Sequence, residues 1–146
     1  MKPHGRCVKT FENGATLEGD YNNGIIDGEG EYTYEDGSSY KGGIKDELYH
    51  GKGMFYDSKG NMYEGEYQHN KKHGKGFFKS KNGVTYKGSF ENDHRHGKGL
   101  CRQPDGVTYD GDWKNDKRDG IGTLTDNKGK QRKGKWSQDK FVKWLE

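Results

Sequence analysis

The sequence is poor in apolar residues. They make up 26% of its 146 residues, about half the share found in an average globular domain. With 34% charged residues, the chain lacks the material for an ordinary layered core, and such a composition is typical of disordered chains. The 10 Tyr, 6 Phe and 3 Trp argue against disorder, because disordered chains are poor in aromatic residues. Folding must therefore depend on a few large rings.

Cysteines and long apolar segments are also scarce. Cys7 and Cys101 are too few for a disulfide framework and are typical of a reducing compartment. No segment approaches the ~20 apolar residues that cross a bilayer, and the first residues lack the apolar core of a signal peptide. We therefore expect a soluble, cytoplasmic protein.

Glycine, by contrast, is abundant and periodic. Of the 25 glycines, 23 fall into four columns that repeat every 23 residues, such as the column from Gly19 through Gly42 to Gly134. A fixed period of this length is the signature of a tandem array. The predicted boundaries are a partial unit 4–16, full units 17–39, 40–62, 63–85, 86–108 and 109–131, and a partial unit 132–146.

Each full unit contains two strand-like segments. The first reads aromatic-x-Gly-x-aromatic, as in Tyr63-Glu-Gly-Glu-Tyr67, and its alternate residues share one face of an extended strand. The second reads Gly-x-Gly-x-apolar, as in Gly74-Lys-Gly-Phe-Phe78. Antiparallel pairing places large rings opposite glycines, which otherwise weaken a strand. We expect Gly65 and Gly88 to face opposing rings and to tolerate no side chain.

Hairpin turns separate these segments. Asn-Gly and Asp-Gly favour two-residue hairpin turns in which both residues have positive φ. Such pairs stand between units at Asn13-Gly14, Asp36-Gly37, Asn82-Gly83 and Asp105-Gly106. The prediction is an all-β fold, an elongated, twisted, single-layer antiparallel sheet of about twelve strands with an aromatic face and a charged face.

The repeat motifs resemble those of the MORN repeat family. Tyr63-Glu-Gly-Glu-Tyr67, His73-Gly-Lys-Gly76 and Asn82-Gly83 match its Tyr-Glu-Gly-Glu-Trp, His-Gly-x-Gly and Asp-Gly signatures, and the match covers nearly the whole chain. The resemblance implies hairpin stacks that act as scaffolds in cytoskeletal, ciliary and membrane-junction proteins. The strings 70–76 and 93–99 are similar in style to MORN subunits of axonemal radial spoke heads. Local departures from the pattern are Leu17, Arg132, Ile44 and Cys7.

Residues that could carry chemistry are dispersed. His4, His50, His73 and His96 share one repeat position, so successive copies lie roughly 9 to 10 Å apart, whereas metal ligands converge within ~2.1 Å of one ion. Cys101 stands where other units carry an aromatic residue or Leu, which favours a small apolar role. The Gly-x-Gly strings lack the following helix that a phosphate loop requires. We expect no catalytic, cofactor or metal site.

Charge divides the chain into two ends. Residues 1–62 carry 7 basic and 11 acidic side chains, and residues 63–146 carry 19 and 12. The second repeat position alternates in sign, which at most aids the register of neighbouring units. Its members are Glu18, Lys41, Glu64, Lys87, Asp110 and Lys133.

The first hairpin tip of each unit also differs between the two ends. Its central pair is apolar in the first two full units and basic in the next three. Apolar turn residues indicate a contact patch unless they fold back over the sheet; basic ones suit an acidic partner or anionic lipid headgroups, or serve solubility alone. The apolar tip patch is Ile25, Ile26, Leu48 and Tyr49. The basic edge is Lys71, Lys72, Arg95, Lys117 and Arg118.

The C-terminal residues predict a short helix. Ser137 can cap it, and Phe141, Trp144 and Leu145 then form an apolar stripe at helical spacing. This segment either caps the array, as terminal repeats require, or anchors a partner.

Together these features predict a non-catalytic scaffold subunit of a larger cytoskeletal assembly, most plausibly axonemal. A peptide or helix of another subunit would bind the aromatic face, because aromatic residues are favoured binding anchors. The alternative is an adaptor for phosphoinositides or anionic membranes that uses the basic edge. Nucleic acid is the weaker expectation, because rings packed over glycines are less free to stack on bases. The face comprises Tyr21, Tyr40, Tyr63, Tyr67, Tyr86, Phe90, Tyr109 and Trp113.

Overall fold

The chain folds as one antiparallel sheet, and the all-β prediction is confirmed. The computed structural model describes residues 5–145 except the side chain of Asp27, and over this range each strand pairs with the next in sequence. The described residues form thirteen strands, one more than expected. They are β1 (Gly5–Thr10), β2 (Thr16–Asn22), β3 (Ile25–Thr33), β4 (Ser39–Lys45), β5 (Leu48–Tyr56), β6 (Met62–Gln68), β7 (Lys71–Lys79), β8 (Thr85–Glu91), β9 (His94–Arg102), β10 (Thr108–Lys114), β11 (Lys117–Thr125), β12 (Gln131–Ser137) and β13 (Lys140–Trp144).

Two kinds of turn alternate along the chain. In the tip turns, such as Asn115-Asp116, both residues have positive φ, 49° and 70° here. In the glycine turns, such as the one at Gly106, only the glycine does (φ 93°), and its N–H donates to the carbonyl of Gln103 at 2.9 Å. The expectation of positive φ for both residues of Asn-Gly and Asp-Gly is therefore wrong. Those pairs lie in longer loops that end in a left-handed glycine.

Rings and glycines share one side of the sheet, which we call the ring face. Tyr63 is 1% exposed and lies over the cross-strand pair Gly65 and Gly76. A Cβ on Gly76 would lie 2.5 Å from Cε1 of Tyr63, whereas a Cβ on Gly65 would lie 2.5 Å from the Cα of Gly76. The expected ring-over-glycine contact therefore holds for the second glycine of four pairs, Gly53, Gly76, Gly99 and Gly122, and their first glycines are confined mainly by backbone. At Gly30 the aliphatic side chains of Leu17, Ile26 and Ile44 replace the ring.

A bulge in the long strand opposite each of these rings secures it. Only Glu66 lies between Gly65 and Tyr67 on β6, whereas three residues lie between their partners Gly76 and Lys72 on β7, and the Glu66 carbonyl accepts a hydrogen bond from the Tyr63 hydroxyl at 2.9 Å. Tyr40, Tyr86 and Tyr109 make the same bond to the residue three positions on, at 2.8 to 2.9 Å. The ring thus covers the glycine pair and holds its own strand in place where the opposite strand bulges.

The rings also pack on one another in an unbroken series. From Tyr67 to Trp136, consecutive rings meet edge to face with centroids 5.0 to 5.4 Å apart and planes 80 to 89° apart. The series links each unit to the next, and its edge-to-face contacts have a favoured geometry for aromatic pairs. This series is the core of most of the sheet.

The C-terminal helix prediction is wrong. Ser137 ends β12, Gln138-Asp139 form another tip turn, and Phe141 and Trp144 lie in strand β13. The Asp139 N–H donates to the Arg118 carbonyl at 2.8 Å, as the equivalent tip residues do earlier in the array. The tip turn and pairing with β12 therefore outweigh the short helical pattern. No helix among the described residues is long and apolar enough to span a bilayer.

Candidate partner-binding surface

The eight aromatic residues predicted to bind a partner all lie in the core. Their exposed fractions are 6% or less, and their surfaces are covered by one another and by the glycine strands. Direct contact with a partner therefore falls to the half-buried residues beside them. The eight are Tyr21, Tyr40, Tyr63, Tyr67, Tyr86, Phe90, Tyr109 and Trp113.

The predicted tip pairs are not the centres of turns. Each pair forms the first two residues of a long strand and directly follows the two residues of the tip turn. Neighbouring residues of a strand face opposite sides, so Ile25 is 64% exposed whereas Ile26 is 6% exposed and packs in the core. We call the second members, which line the ring face, the tip row. They are Ile26, Tyr49, Lys72, Arg95 and Arg118.

The predicted basic edge is likewise divided between the two faces. Lys71 and Lys117 are exposed on the opposite side of the sheet. Lys72 Nζ lies 5.4 Å from the centre of the Tyr63 ring, and the Arg95 guanidinium lies 4.4 Å from that of Trp113. These distances are within cation–π range, so the three tip-row cations cover the rings and do not form one exposed basic patch.

Most tip-row residues donate hydrogen bonds to an Asp or Asn residue in the next tip turn. Asp116 Oδ1 accepts from the Arg95 N–H at 2.8 Å, and the Asp116 carbonyl accepts from Arg95 Nη2 at 2.8 Å. Asp139 binds Arg118 in the same way. Burial acts to raise the pKa of Asp116, but hydrogen bonds from Arg95 and His94 outweigh it and hold that pKa below the usual value.

These hydrogen bonds between successive tips form a ladder that was not predicted, although the sequence carries a signal for it. Asn70, Asp93, Asp116 and Asp139 recur at 23-residue spacing as the second residue of the last four tip turns. Their side chains accept hydrogen bonds from tip-row N–H groups at 2.7 to 2.8 Å. The ladder ties each tip to the one before it.

Two cavities open between the tip row and the glycine turns. The first, about 320 Å³, is lined by Lys72, Phe78, Val84 and the ring residues beneath them. The second, about 240 Å³, is its equivalent one unit later, with Val107 and Leu124 on the apolar side. Arg95 lines both cavities. Each combines an apolar wall, a cation and a carboxylate, the mixture that orients a bound side chain.

The N-terminal half of the tip row has a different character. Tyr49 stacks on Tyr40 with centroids 3.9 Å apart, and its hydroxyl forms a short hydrogen bond with that of Tyr34. Tyr32 and Phe11 extend this cluster. Burial raises the pKa of Tyr40 to about 12, so these phenols stay neutral. The tip row is thus uncharged at one end, with Ile26 and Tyr49, and cationic at the other.

The remaining candidate residues are scattered or buried. His94 Nδ1 lies 2.8 Å from Asp116 Oδ2, and His96 lies 3.5 Å from Glu91; no three His, Cys, Asp or Glu side chains among the described residues could hold a metal ion. His4 lies outside the described residues. Cys101 is 6% exposed in the core, and burial raises the pKa of its thiol.

Comparison with known proteins settles the family. The model of the MORN repeat matches residues 2–16, 18–39, 40–62, 63–85, 86–108 and 109–131. The chain belongs to the MORN repeat family. MORN repeats are typically interaction modules for proteins or membranes. No curated protein matches the sequence.

The solved structures that are similar to the MORN array include two of one domain. The wild-type TCP10 domain of Danio rerio CPAP is 16% identical, with a TM-score of 0.53, over 97% of this chain and 67% of that one. The same domain in complex with a peptide of Danio rerio STIL is 15% identical, with a TM-score of 0.42, over 95% and 67%. At this identity the first likeness is one of fold alone.

Proposed function

We propose that this MORN array is a non-catalytic scaffold that holds a segment of another protein along the edge of its ring face. The observation that carries the proposal is the pair of equivalent cavities beneath the tip row. Each offers apolar surface from Val84 or Val107 beside a cation that is already positioned over a ring. Family membership supports an interaction role, and the cavities support the proposed location.

The spacing of the cavities suggests the form of the bound segment. They lie one unit apart, which is two strands or about 9.6 Å along the sheet. A polyproline II segment places residues i and i+3 on one side about 9.3 Å apart, and an α-helix places i and i+7 on one side about 10.5 Å apart. We therefore propose a partner segment that inserts side chains at one of these two spacings.

The proposed setting is a cytoskeletal assembly, most plausibly an axonemal one of the radial-spoke type, in the cytoplasm. The support is the similarity of residues 70–76 and 93–99 to radial-spoke MORN subunits. Proximity labelling in ciliated cells tests the setting. Labelled radial-spoke proteins support it, and labelling confined to other compartments contradicts it.

A pair of matched variants tests the surface itself. Val84→Ser with Val107→Ser removes the apolar walls of both cavities, while Ile121→Ser removes an apolar side chain that is 43% exposed on the opposite face. In affinity purification, we expect specific partners to remain with Ile121→Ser and to be lost with the double variant. Equal recovery by both variants would contradict the proposed surface.

A separate vesicle-binding measurement tests the alternative function, an adaptor for anionic membranes. Arg95 and Arg118 are engaged with Asp116 and Asp139, and Lys71 and Lys117 lie on the other face, so no single basic surface favours it. Sedimentation with phosphatidylinositol phosphate vesicles at low salt, abolished by Lys71→Glu with Lys117→Glu, would establish the adaptor in place of the scaffold.

A further inference from the structure

The face opposite the rings, the outer face, carries one unbroken row of side chains across the strands. From β4 to β10 each member pairs in register with the next. The even strands contribute charges of alternating sign, Lys41, Glu64, Lys87 and Asp110. The odd strands between them contribute the apolar residues Met54, Phe77 and Leu100.

These apolar residues have no covering layer within the chain. Leu100 is 40% exposed, and Met54 and Phe77 are half-buried on a face whose other members are mainly charged. Since the rings already form the core on the other face, folding does not require them. Apolar residues aligned on a solvent face indicate a contact surface.

In reverse order, the row has the opposite charge at each charged position. It is therefore complementary in charge to the same row of a second copy that runs the other way. When a second copy is turned end for end about Phe77, Glu64 faces Lys87, Lys41 faces Asp110 and Met54 faces Leu100. The agreement extends further, because Glu18 of β2 then faces Lys133 of β12, and both belong to the same outward row. Every charge in these pairs meets its opposite, whereas in the adjacent outward row Lys52 faces Lys98 and Lys75 faces its own copy.

We propose that two copies of this chain dock outer face to outer face about a two-fold axis lying between the sheets, parallel to β7 and over Phe77. This arrangement is isologous, as a closed two-fold dimer requires. An axis along the length of the array would place each charge against itself. An axis over Glu64 or Lys87 would do the same to the central residue of the row, so the alternation of the row favours the axis over Phe77.

The shape of the face suits this pairing. Two shallow depressions of about 700 and 550 Å³ lie over β3–β7 and β6–β10 and share Glu64 and Lys75. The two-fold axis over β7 brings each depression against the other one in the second copy. Apolar side chains of one copy then have space to enter the opposing sheet.

The size of the surface is adequate for a moderately stable dimer. Seven strands span about 29 Å, and four outward residues along each strand span about 20 Å. The resulting footprint of about 600 Å² per copy approaches the ~800 Å² of a standard interface. The dimer leaves the ring-face cavities open, so it does not compete with the proposed partner segment.

The mass of the full chain in solution tests the proposal. Sedimentation velocity at low salt over a range of concentrations is expected to show a reversible dimer. Glu64→Lys or Lys87→Glu creates two like-charge contacts across the axis, and we expect either to weaken the dimer at least about tenfold. The double variant Glu64→Lys with Lys87→Glu restores opposite charges and is expected to dimerise like the original chain.

Matched controls separate this pairing from a general effect of charge. Glu12→Lys and Lys128→Glu make the same net changes in turns away from the row and are expected to leave the dimer unchanged. Lys75 and Lys79 lie on β7 and each faces its own copy across the axis, so Lys79→Ser is expected to tighten the dimer at low salt. A monomer at all concentrations, or a folded double variant that remains monomeric, overturns the proposal.

A cross-link gives a test independent of affinity. In a Cys7→Ser background, Phe77→Cys places two thiols on the axis, whereas Lys87→Cys places each thiol opposite Glu64. Mild oxidation is expected to give a covalent dimer much faster with Phe77→Cys. Equal rates for the two variants, with circular dichroism unchanged, would overturn the axis position.

Discussion

At the scale of single residues, the decisive contact is between glycine pairs and the rings above them. Gly88 and Gly99 pair across β8 and β9, and a Cβ on Gly88 would lie 2.5 Å from the Lys98 carbonyl oxygen. The backbone of the paired strand cannot move aside as a flexible side chain can. This explains why the glycine column recurs without exception from Gly19 to Gly134.

Gly88→Val is therefore expected to cost at least about 3 kcal/mol of unfolding free energy, at the upper end of overpacking effects. Ser89→Val introduces the same side chain one residue away on the outer face and is expected to cost much less. Urea unfolding followed by circular dichroism compares them. Equal midpoints would show that the glycine pair is not confined as described.

Truncation of a core ring has a comparable cost. Tyr67 is 6% exposed and meets Tyr63 edge to face at 5.2 Å. We expect Tyr67→Ala to cost about 3 to 5 kcal/mol, the range for losing a buried aromatic ring. Tyr56→Ala removes the same side chain where it is 50% exposed and is expected to cost under about 1 kcal/mol. A small loss for Tyr67→Ala would contradict the core assignment.

At the scale of elements, neighbouring hairpins are joined through their tips as well as through the sheet. Asp116 accepts hydrogen bonds from the Arg95 backbone and guanidinium and from the ring of His94. Its pKa is lowered in the folded state, so its contribution to stability is present above the unfolded pKa. That contribution is lost as the pH falls through the folded pKa.

Asp116→Ala is expected to destabilise the chain by about 1 to 2 kcal/mol at pH 7, the range for charge-assisted hydrogen bonds discounted for partial exposure. The difference from the original chain should shrink below about pH 4, the usual aspartate range, because both proteins then lack the carboxylate. Asp20→Ala, on an exposed strand position, is the control. A difference independent of pH would assign the loss to packing.

The elements also show what sequence could and could not predict. Rings and glycines two residues apart lie on the same face of a strand. The 23-residue period of these residues is therefore sufficient to predict the sheet. The tip turns were misplaced by two residues, because Asp46-Glu47 and His69-Asn70 adopt positive φ without glycine. The contact of Arg95 with Trp113 depends on how a long side chain crosses the sheet, which no spacing in the sequence specifies.

At the scale of the whole molecule, the array is a one-dimensional chain of contacts. Each strand touches mainly its two neighbours, and the edge-to-face series from Tyr67 to Trp136 links the units without interruption. Toward the N-terminus this series gives way to Leu17, Ile26 and Ile44, and the outermost strand β1 is almost entirely exposed. Stability in such arrays is the sum of unit and interface terms.

Amide hydrogen exchange is therefore expected to be slowest in β6–β10 and fastest in β1. Tyr86→Ala removes the ring that bridges Phe90 and Trp113, at 5.1 and 5.4 Å, and so divides the series in its middle. Because interfaces in a one-dimensional array act locally, we expect protection to fall most in β7–β10 and least in β2–β4. Tyr56→Ala, outside the series, should leave the pattern unchanged. A uniform loss of protection after Tyr86→Ala would instead show that the thirteen strands unfold as one cooperative unit.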